Sequence, residues 1–442
     1  MNRLDRLAAL ITAARQAGAD SADALLVENA SLSVQRRLGK LEHLERAEGL
    51  DIGLRVFIGL RQAIISSSDT DPAGFARLAE QAVAMARVVP ADPFCGLLEP
   101  RAAPDATPLD LHDPSEPSAE ALIERAAIAE EAALAVAGVT NSEGAEAGWS
   151  RLRIAMVTSA GFAGEYARTG HSISATALAG SGTAMERDYD YSSAVHLADL
   201  EDAGLIGRRA GEQAVSRLNP RRPATARLPV VYAPRVSGSL IGHLSSAING
   251  ASVARGTSFL KDSMGQRVLA AGLRVMDDAT RPRGARSRPF DAEGTPCAPL
   301  TLVEDGVLMS WLLDGRSARQ LKLASTGHAS RGTGGPPSPS ATNLWLAPGS
   351  ATPAELIADI REGLYITEMI GMSVNAVTGD YSRGASGFMI RNGQLAEAVS
   401  EMTVAGKLQE MFLNMCPASD LIFKRGTDAP TLRVEGMTLA GA

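Results

Sequence analysis

The chain has 442 residues, 45% of them apolar and 21% charged, and a formal net charge of −7. At roughly 150 residues per domain this suggests about three domains, and the composition excludes wholesale disorder and the basic footprint of a nucleic-acid binder. No segment reaches the ~20 apolar residues of a membrane helix, so a soluble, cytoplasmic protein without membrane contact is expected.

In chain order, Leu4, Leu7, Leu10, Ile11 and Ala14 recur at helical spacing. Short apolar-rich strands are predicted at Asp23–Glu28, Ser31–Arg37, Leu41–Arg46, Ile52–Phe57 and Gln62–Ser66. Their short links suit antiparallel hairpins, because parallel crossovers need a dozen or more residues. Asp71-Pro72 reads as a helix start, with Phe75, Leu78, Ala79, Ala82, Val83 and Ala86 behind it. Residues 1–90 thus form an α+β domain. Prolines crowd 91–117, which reads as a linker. A middle α+β domain, 118–222, has an Ala-rich helix from Ser118 to Val136, strand-like residues from Trp149 to Thr183, and a helix near Ala198–Leu218.

The remainder, 223–442, is β-rich. Leu228–Tyr232 reads as a strand and Val236–Ile248 as a helix behind Pro234. Asp305-Gly306 and Asn392-Gly393 each predict a hairpin, since both pairs adopt the positive φ of a type I′ turn. Ser330–Thr342, rich in Gly, Pro and Ser, is predicted as a long unstructured loop, a mobile linker or a functional one. The fold expected is multidomain α+β, with antiparallel sheets flanked by helices.

Motifs alone show no active site. The histidines (His43, His112, His171, His196, His243, His328) include no pair at i, i+3 or i+4, so no helix face presents two metal ligands. Ser258 and Lys261 have the SxxK spacing of serine acyl enzymes but no partner motif. Cys95, Cys297 and Cys416 form no CxxC pair. Cys416, among apolar neighbours, is expected to be an inert buried thiol. Only five cations are lysine (Lys40, Lys261, Lys322, Lys407, Lys424), an arginine excess that reads as a genome-composition bias.

Several blocks, in order, carry a resemblance. Gly49 to Asp69, Leu302–Leu308, Ser325-Thr-Gly327, Val377-Thr-Gly-Asp-Tyr-Ser-Arg-Gly-Ala-Ser-Gly387, Ser400–Leu408 and Pro430–Thr438 resemble the signature blocks of the TldD/PmbA family, in its PmbA (TldE) branch, known also as modulators of DNA gyrase. The resemblance implies a heteromeric zinc peptidase. Its TldD-type subunit carries HExxxH on a helix, where two His hold the zinc and the Glu serves as base, with a cysteine from a late loop. The equivalent helix here is Ser237–Asn249: the first His position falls on Gly242, the Glu position on His243 and the second His position on Ala247. The late loop between Asp420 and Pro430 contains no Cys. No catalytic residue and no metal ligand therefore carries over. The resemblance implies that this chain binds no cofactor, that zinc sits in a TldD-type partner, and that the two form a heterodimer enclosing a chamber for small or unfolded peptides. The family's processes are maturation of peptide-antibiotic precursors and antitoxin removal. A homodimer in isolation is the other assembly considered, and no direct nucleic-acid contact is expected. His243, Asp380, Tyr381, Arg383 and the 330–342 loop are the candidate chamber residues. Two readings from other classes stay open: an independent hydrolase with Ser258 as nucleophile, and a non-catalytic homodimeric peptide-binding adaptor.

Overall fold

A computed structural model describes residues 1–371 and 373–441. Helix α1 (Arg3–Gln16) starts where the Asn2 side chain accepts from Asp5 N, and it buries Leu7, Leu10, Ile11 and Ala14. The first four predicted strands are two long ones, β1 (Ser21–Arg37) and β2 (Lys40–Ile58), followed by β3 (Arg61–Ser67). The polar residues Glu28 and Asn29 do not break β1: their backbones stay in the ladder opposite Leu50 and Gly49. Arg3 (2.7 Å) and Arg153 (2.8 Å) satisfy the Glu28 carboxylate there. Asp71 caps the turn leading into α2 (Phe75–Val88), whose buried side is the predicted one.

Helix α3 (Ala119–Leu134) begins at the Ser118 cap. It is followed by β4 (Val139–Thr158), β5 (Ala163–Ala179), β6 (Glu186–Ala194) and α4 (Ala203–Ser216). The 1–90 and 118–222 segments share one antiparallel sheet, in the order β3-β2-β1-β4-β5-β6. Its seam is β1 against β4, paired from Asp23↔Thr158 to Arg36↔Ala145. Strand alternation divides β1 cleanly. Ala22, Ala24, Leu26, Ala30, Leu32 and Val34 face the four helices. Asp23, Leu25 and Val27 face the C-terminal part of the chain. The proline-rich segment between is irregular but anchored: Leu109 and Leu111 are buried, and Asp113 accepts from Leu197 N at 2.7 Å.

The C-terminal part holds β7 (Ala226–Tyr232), helix α5 (Pro234–Ala247), β8 (Val275–Asp277), β9 (Leu300–Glu304) and β10 (Val307–Leu308). Next come β11 (Ala329–Ser330), β12 (Ser338–Pro339), β13 (Leu344–Leu346), β14 (Glu362–Ile370), β15 (Asp380–Arg391) and β16 (Gln394–Lys407). The chain ends with β17 (Met415–Pro417), β18 (Thr427–Asp428) and β19 (Leu432–Ala440). One sheet runs β16-β15-β14-β7-β19-β17, and pairing of β16 with β19 closes it into a barrel. The other runs β10-β9-β8-β13-β18, and α5 packs between the two. Both predicted hairpin turns have the positive φ they need, 47° and 75° at Asp305-Gly306 and 48° and 75° at Asn392-Gly393. The architecture is the multidomain α+β arrangement of antiparallel sheets and flanking helices read from the sequence. Among the described residues no helix is long and apolar enough to cross a membrane.

The 330–342 segment departs from expectation. Its ends pair as the β11–β12 hairpin, and Arg331 is buried against Asp23. Its backbone lies so close to β2 that a Cβ on Gly53 would sit 2.3 Å from Thr333 O. This tie belongs to a buried charge cluster between the two parts of the molecule. Asp23 bonds Arg55 (2.5 Å) and Arg331 (2.6 Å), and Glu293 lies 3.9 Å from Arg55 while accepting from Gly315 N at 2.6 Å. Burial outweighs Arg55 and pushes the Glu293 carboxyl from 4.5 to about 7. The folded state therefore holds a proton that the unfolded chain releases, and this group's contribution falls as pH rises from 4.5 to 7. Glu293→Gln is expected to flatten stability over that window, measured by urea unfolding at a series of pH values. A variant curve parallel to the wild type would refute this.

Candidate functional site

Helix α5 starts at Pro234, whose fixed φ suits the first helical position. Its buried side is Ser237, Leu240, Ile241, Leu244 and Ala247. Gly238, Ser239 and Gly242 instead line a cleft of ≈ 500 Å³, which Tyr189, Arg235, Arg286, Glu368, Arg383 and Arg425 complete. Gly238 permits close approach to β18: a Cβ there would lie 2.6 Å from Thr427 O. A Cβ on Gly242 would meet nothing within 4 Å, so the helix leaves open space at that point. The 420–430 segment is a tight turn closed on Asp428, whose carboxylate accepts from the backbone N–H groups of Lys424, Arg425 and Gly426 at 3.0–3.1 Å.

The cleft is rich in guanidinium groups. Arg235 donates to Asp188 (2.7 Å) and Gln213 (2.5 Å) and stacks over Tyr189 at 4.5 Å. Arg217 joins Asp188 to Glu368 across the boundary between the sheet and the barrel. Arg383 donates to Gly371 O (2.8 Å), Arg425 to Pro234 O (3.3 Å) and Arg286 to Thr427 Oγ1 (3.4 Å). Among the described residues none of these last three has a carboxylate ion-pair partner. An acidic chain thus presents a locally positive cleft, suited to polar, carbonyl-rich or anionic ligands. The excess of arginine over lysine has structural uses here that composition did not reveal.

Of the candidate chamber residues, the fold brings three together. His243 meets Tyr381 edge to face at 5.8 Å, and Arg383 follows two residues along the same face of β15. Asp380 points the other way, exposed, where the Thr378 hydroxyl donates to it at 2.6 Å. Strand alternation dictates that split. The 330–342 hairpin sits at the boundary with the N-terminal sheet instead. Burial first, and then the charge of Arg383, pushes His243 down to about 4, so it is neutral at pH 7. Removing the charge with Arg383→Met is expected to raise the His243 pKa part of the way towards 6.5, followed by NMR of its ring protons. An unmoved titration would show that burial acts alone.

The zinc positions offer one imidazole. Gly242 supplies no side chain and Ala247 is buried in the core, facing away from the cleft. These residues do not fit a catalytic zinc, and among the described residues no group of three His, Cys, Asp or Glu is placed to hold a metal. Ser258 is not placed as a nucleophile: it is 2% exposed and its hydroxyl donates to Ala247 O at 2.5 Å. Cys416 is exposed, not buried, because it is the outward residue between inward-facing Met415 and Pro417 of β17. His328 is structural, held by Asp277 (3.1 Å) and Thr326 (2.9 Å). Sequence reasoning missed Arg235, Arg286, Glu368 and Arg425, which carry no motif.

Three family models match the chain: PmbA/TldA metallopeptidase domain 1 over residues 22–86, the central domain over 112–218 and the C-terminal domain over 225–441. The chain is 35% identical to "Metalloprotease PmbA" of Escherichia coli over 426 residues, covering 96% of this chain and 92% of that one. It is 32% identical to "Metalloprotease PmbA homolog" of Haemophilus influenzae over 433 residues, 97% and 94% of the two chains. Its fold matches the crystal structure of TldE from Thermococcus kodakarensis with a TM-score of 0.87 at 19% identity, over 99% of this chain and 100% of that one.

Proposed function

Because the chain belongs to the PmbA/TldD metallopeptidase family, we propose that it is the non-metal subunit of a TldD/TldE-type peptidase. It pairs with a zinc-bearing TldD-type partner and forms part of the chamber wall. Its substrates are small or unfolded peptides, as in peptide-antibiotic precursor maturation or antitoxin removal. One observation carries this reading: the face of α5 that would carry the first zinc ligand presents Gly242 to an arginine-lined cleft. A helix with glycine and alanine, Gly242 and Ala247, at the two positions where the TldD-type subunit is expected to carry its zinc histidines supports a role in shaping and binding. The guanidinium groups of Arg286, Arg383 and Arg425 can donate to backbone carbonyls of an extended peptide without selecting its side chains.

The test is reconstitution. The purified chain, its TldD-type partner and their mixture are assayed on an unstructured peptide, with zinc and with chelator. Cleavage is expected in the mixture, lost with chelator, and absent for this chain alone. Zinc-dependent turnover by this chain alone would overturn the proposal.

A further inference from the structure

The α5 cleft carries more positive charge than its own acids neutralise. Arg235, Arg286, Arg383 and Arg425 line it, and Glu368 is the one carboxylate among its described lining residues. Glu368 is paired with Arg217, and Arg235 with Asp188. Arg286, Arg383 and Arg425 bond only neutral oxygens: Thr427 Oγ1, Gly371 O and Pro234 O.

Their unused donors are open to the cleft. Arg286 is exposed. No nitrogen of Arg383 or Arg425 is both buried and unpartnered, so those that make no internal bond touch solvent. Arg383 keeps only 9% of its surface, its Nε is spent on Gly371 O, and its remaining guanidinium nitrogens are free to meet a ligand in the cleft it lines. The three do not converge on one point. Arg425 bonds Pro234 at the first residue of α5, and Arg286 bonds Thr427, whose backbone packs against Gly238. Arg383 lies by His243, whose titration its charge lowers. From Pro234 to Gly242 the helix rises roughly 12 Å. An extended chain covers that span in about four residues, and a single carboxylate does not.

Backbone carbonyls satisfy such donors in any peptide, but carboxylates meet them with charge as well and make roughly twice as strong a hydrogen bond. We propose that the α5 cleft prefers an extended peptide segment carrying several acidic side chains, with its carboxylates on Arg286, Arg383 and Arg425. That the occupant is a peptide rests on the function proposed above. The preference for carboxylates rests on the unpaired arginines. A nucleic acid is disfavoured by the chain's net charge of −7, which repels a long polyanion.

The full chain is titrated by calorimetry at low salt with acetyl-Glu-Ala-Glu-Ala-Glu amide, with its Gln-for-Glu counterpart as amide and as free acid, and with an oligothymidylate. The Glu peptide is expected to bind at least tenfold more tightly than the Gln amide, and the difference to shrink as salt rises. Arg286→Gln, at an exposed side chain whose loss does not threaten folding, is expected to weaken the Glu peptide at least fivefold, and Arg425→Gln similarly. Lys40→Gln, which removes the same charge at an exposed residue outside the cleft, is expected to leave the affinity unchanged. Equal affinity for the Glu and Gln peptides, no binding of either at millimolar concentration, or an equal loss in Lys40→Gln would overturn the proposal. A Gln free acid as tight as the Glu peptide would overturn the acidic segment in favour of a chain terminus. Tighter binding of the oligothymidylate would overturn the peptide as occupant. The assay needs neither zinc nor a partner subunit, so its outcome is separable from that of the reconstitution.

Discussion

Asp23→Ala is expected to destabilise the protein by about 3–5 kcal/mol, the cost of leaving a buried charge uncompensated. Asp23 is fully buried, and Arg55 and Arg331 are only 4% and 2% exposed at their side chains. Burial alone would raise the Asp23 carboxyl, but Arg331 and Arg55 outweigh it and hold the group below its ordinary value. Its contribution is present at neutral pH and is lost as pH falls through the acid range. Removing the carboxylate leaves two buried guanidinium groups facing one another, with Glu293 the nearest other acid. Because Arg331 belongs to the β11–β12 hairpin, the variant should also expose that hairpin to protease before the rest of the chain. Urea unfolding and limited proteolysis test this. Glu48→Ala, at an exposed pair with Arg46, is the control and should leave the midpoint unchanged. An Asp23→Ala midpoint equal to wild type would show that the cluster contributes no net stability.

The second large effect is steric. Helices α3 and α4 cross with no room at Gly207, where a Cβ would lie 1.9 Å from Ala129 O, a backbone atom that cannot swing aside. Gly207→Val must push the helices apart, costing about 3 kcal/mol and loosening the core around Ala126, Ala129 and Ala210. Gly242→Ala is the contrasting helical glycine, with open space where the methyl would go. It should leave stability unchanged or raise it by up to ~1 kcal/mol through helix propensity. Thermal and urea unfolding of the two variants distinguishes the cases. Equal behaviour would rule out the close crossing.

Much of this fold was legible in the sequence where one physical signal dominates. The buried sides of α1 and α2 follow from apolar spacing, and the Asp-Gly and Asn-Gly turns from their tolerance of positive φ. Strand ends were less legible. Glu28 and Asn29 interrupt an apolar pattern without interrupting backbone pairing, so β1 read as two strands. Cys416 was misread because a cluster of apolar neighbours looks buried until the alternation of a strand is imposed on it. The same alternation separates Asp380 from Tyr381 and Arg383, which a motif groups together. Of the arginine-lined cleft only Arg383 was legible, through the family resemblance: Arg235, Arg286 and Arg425 come from well-separated parts of the chain, and only the folded backbone brings them together with it.

The β1–β4 seam has a consequence for synthesis. About 90 residues separate the end of β3 from the end of β4, so at ~5–20 residues per second a nascent chain waits roughly 5–20 s between completing them. Throughout that interval β1 has an open flank, whose unpaired backbone groups can recruit a strand from a neighbouring nascent chain. Slowed translation across the proline-rich stretch would lengthen the exposure, and polysome crowding would make it more hazardous.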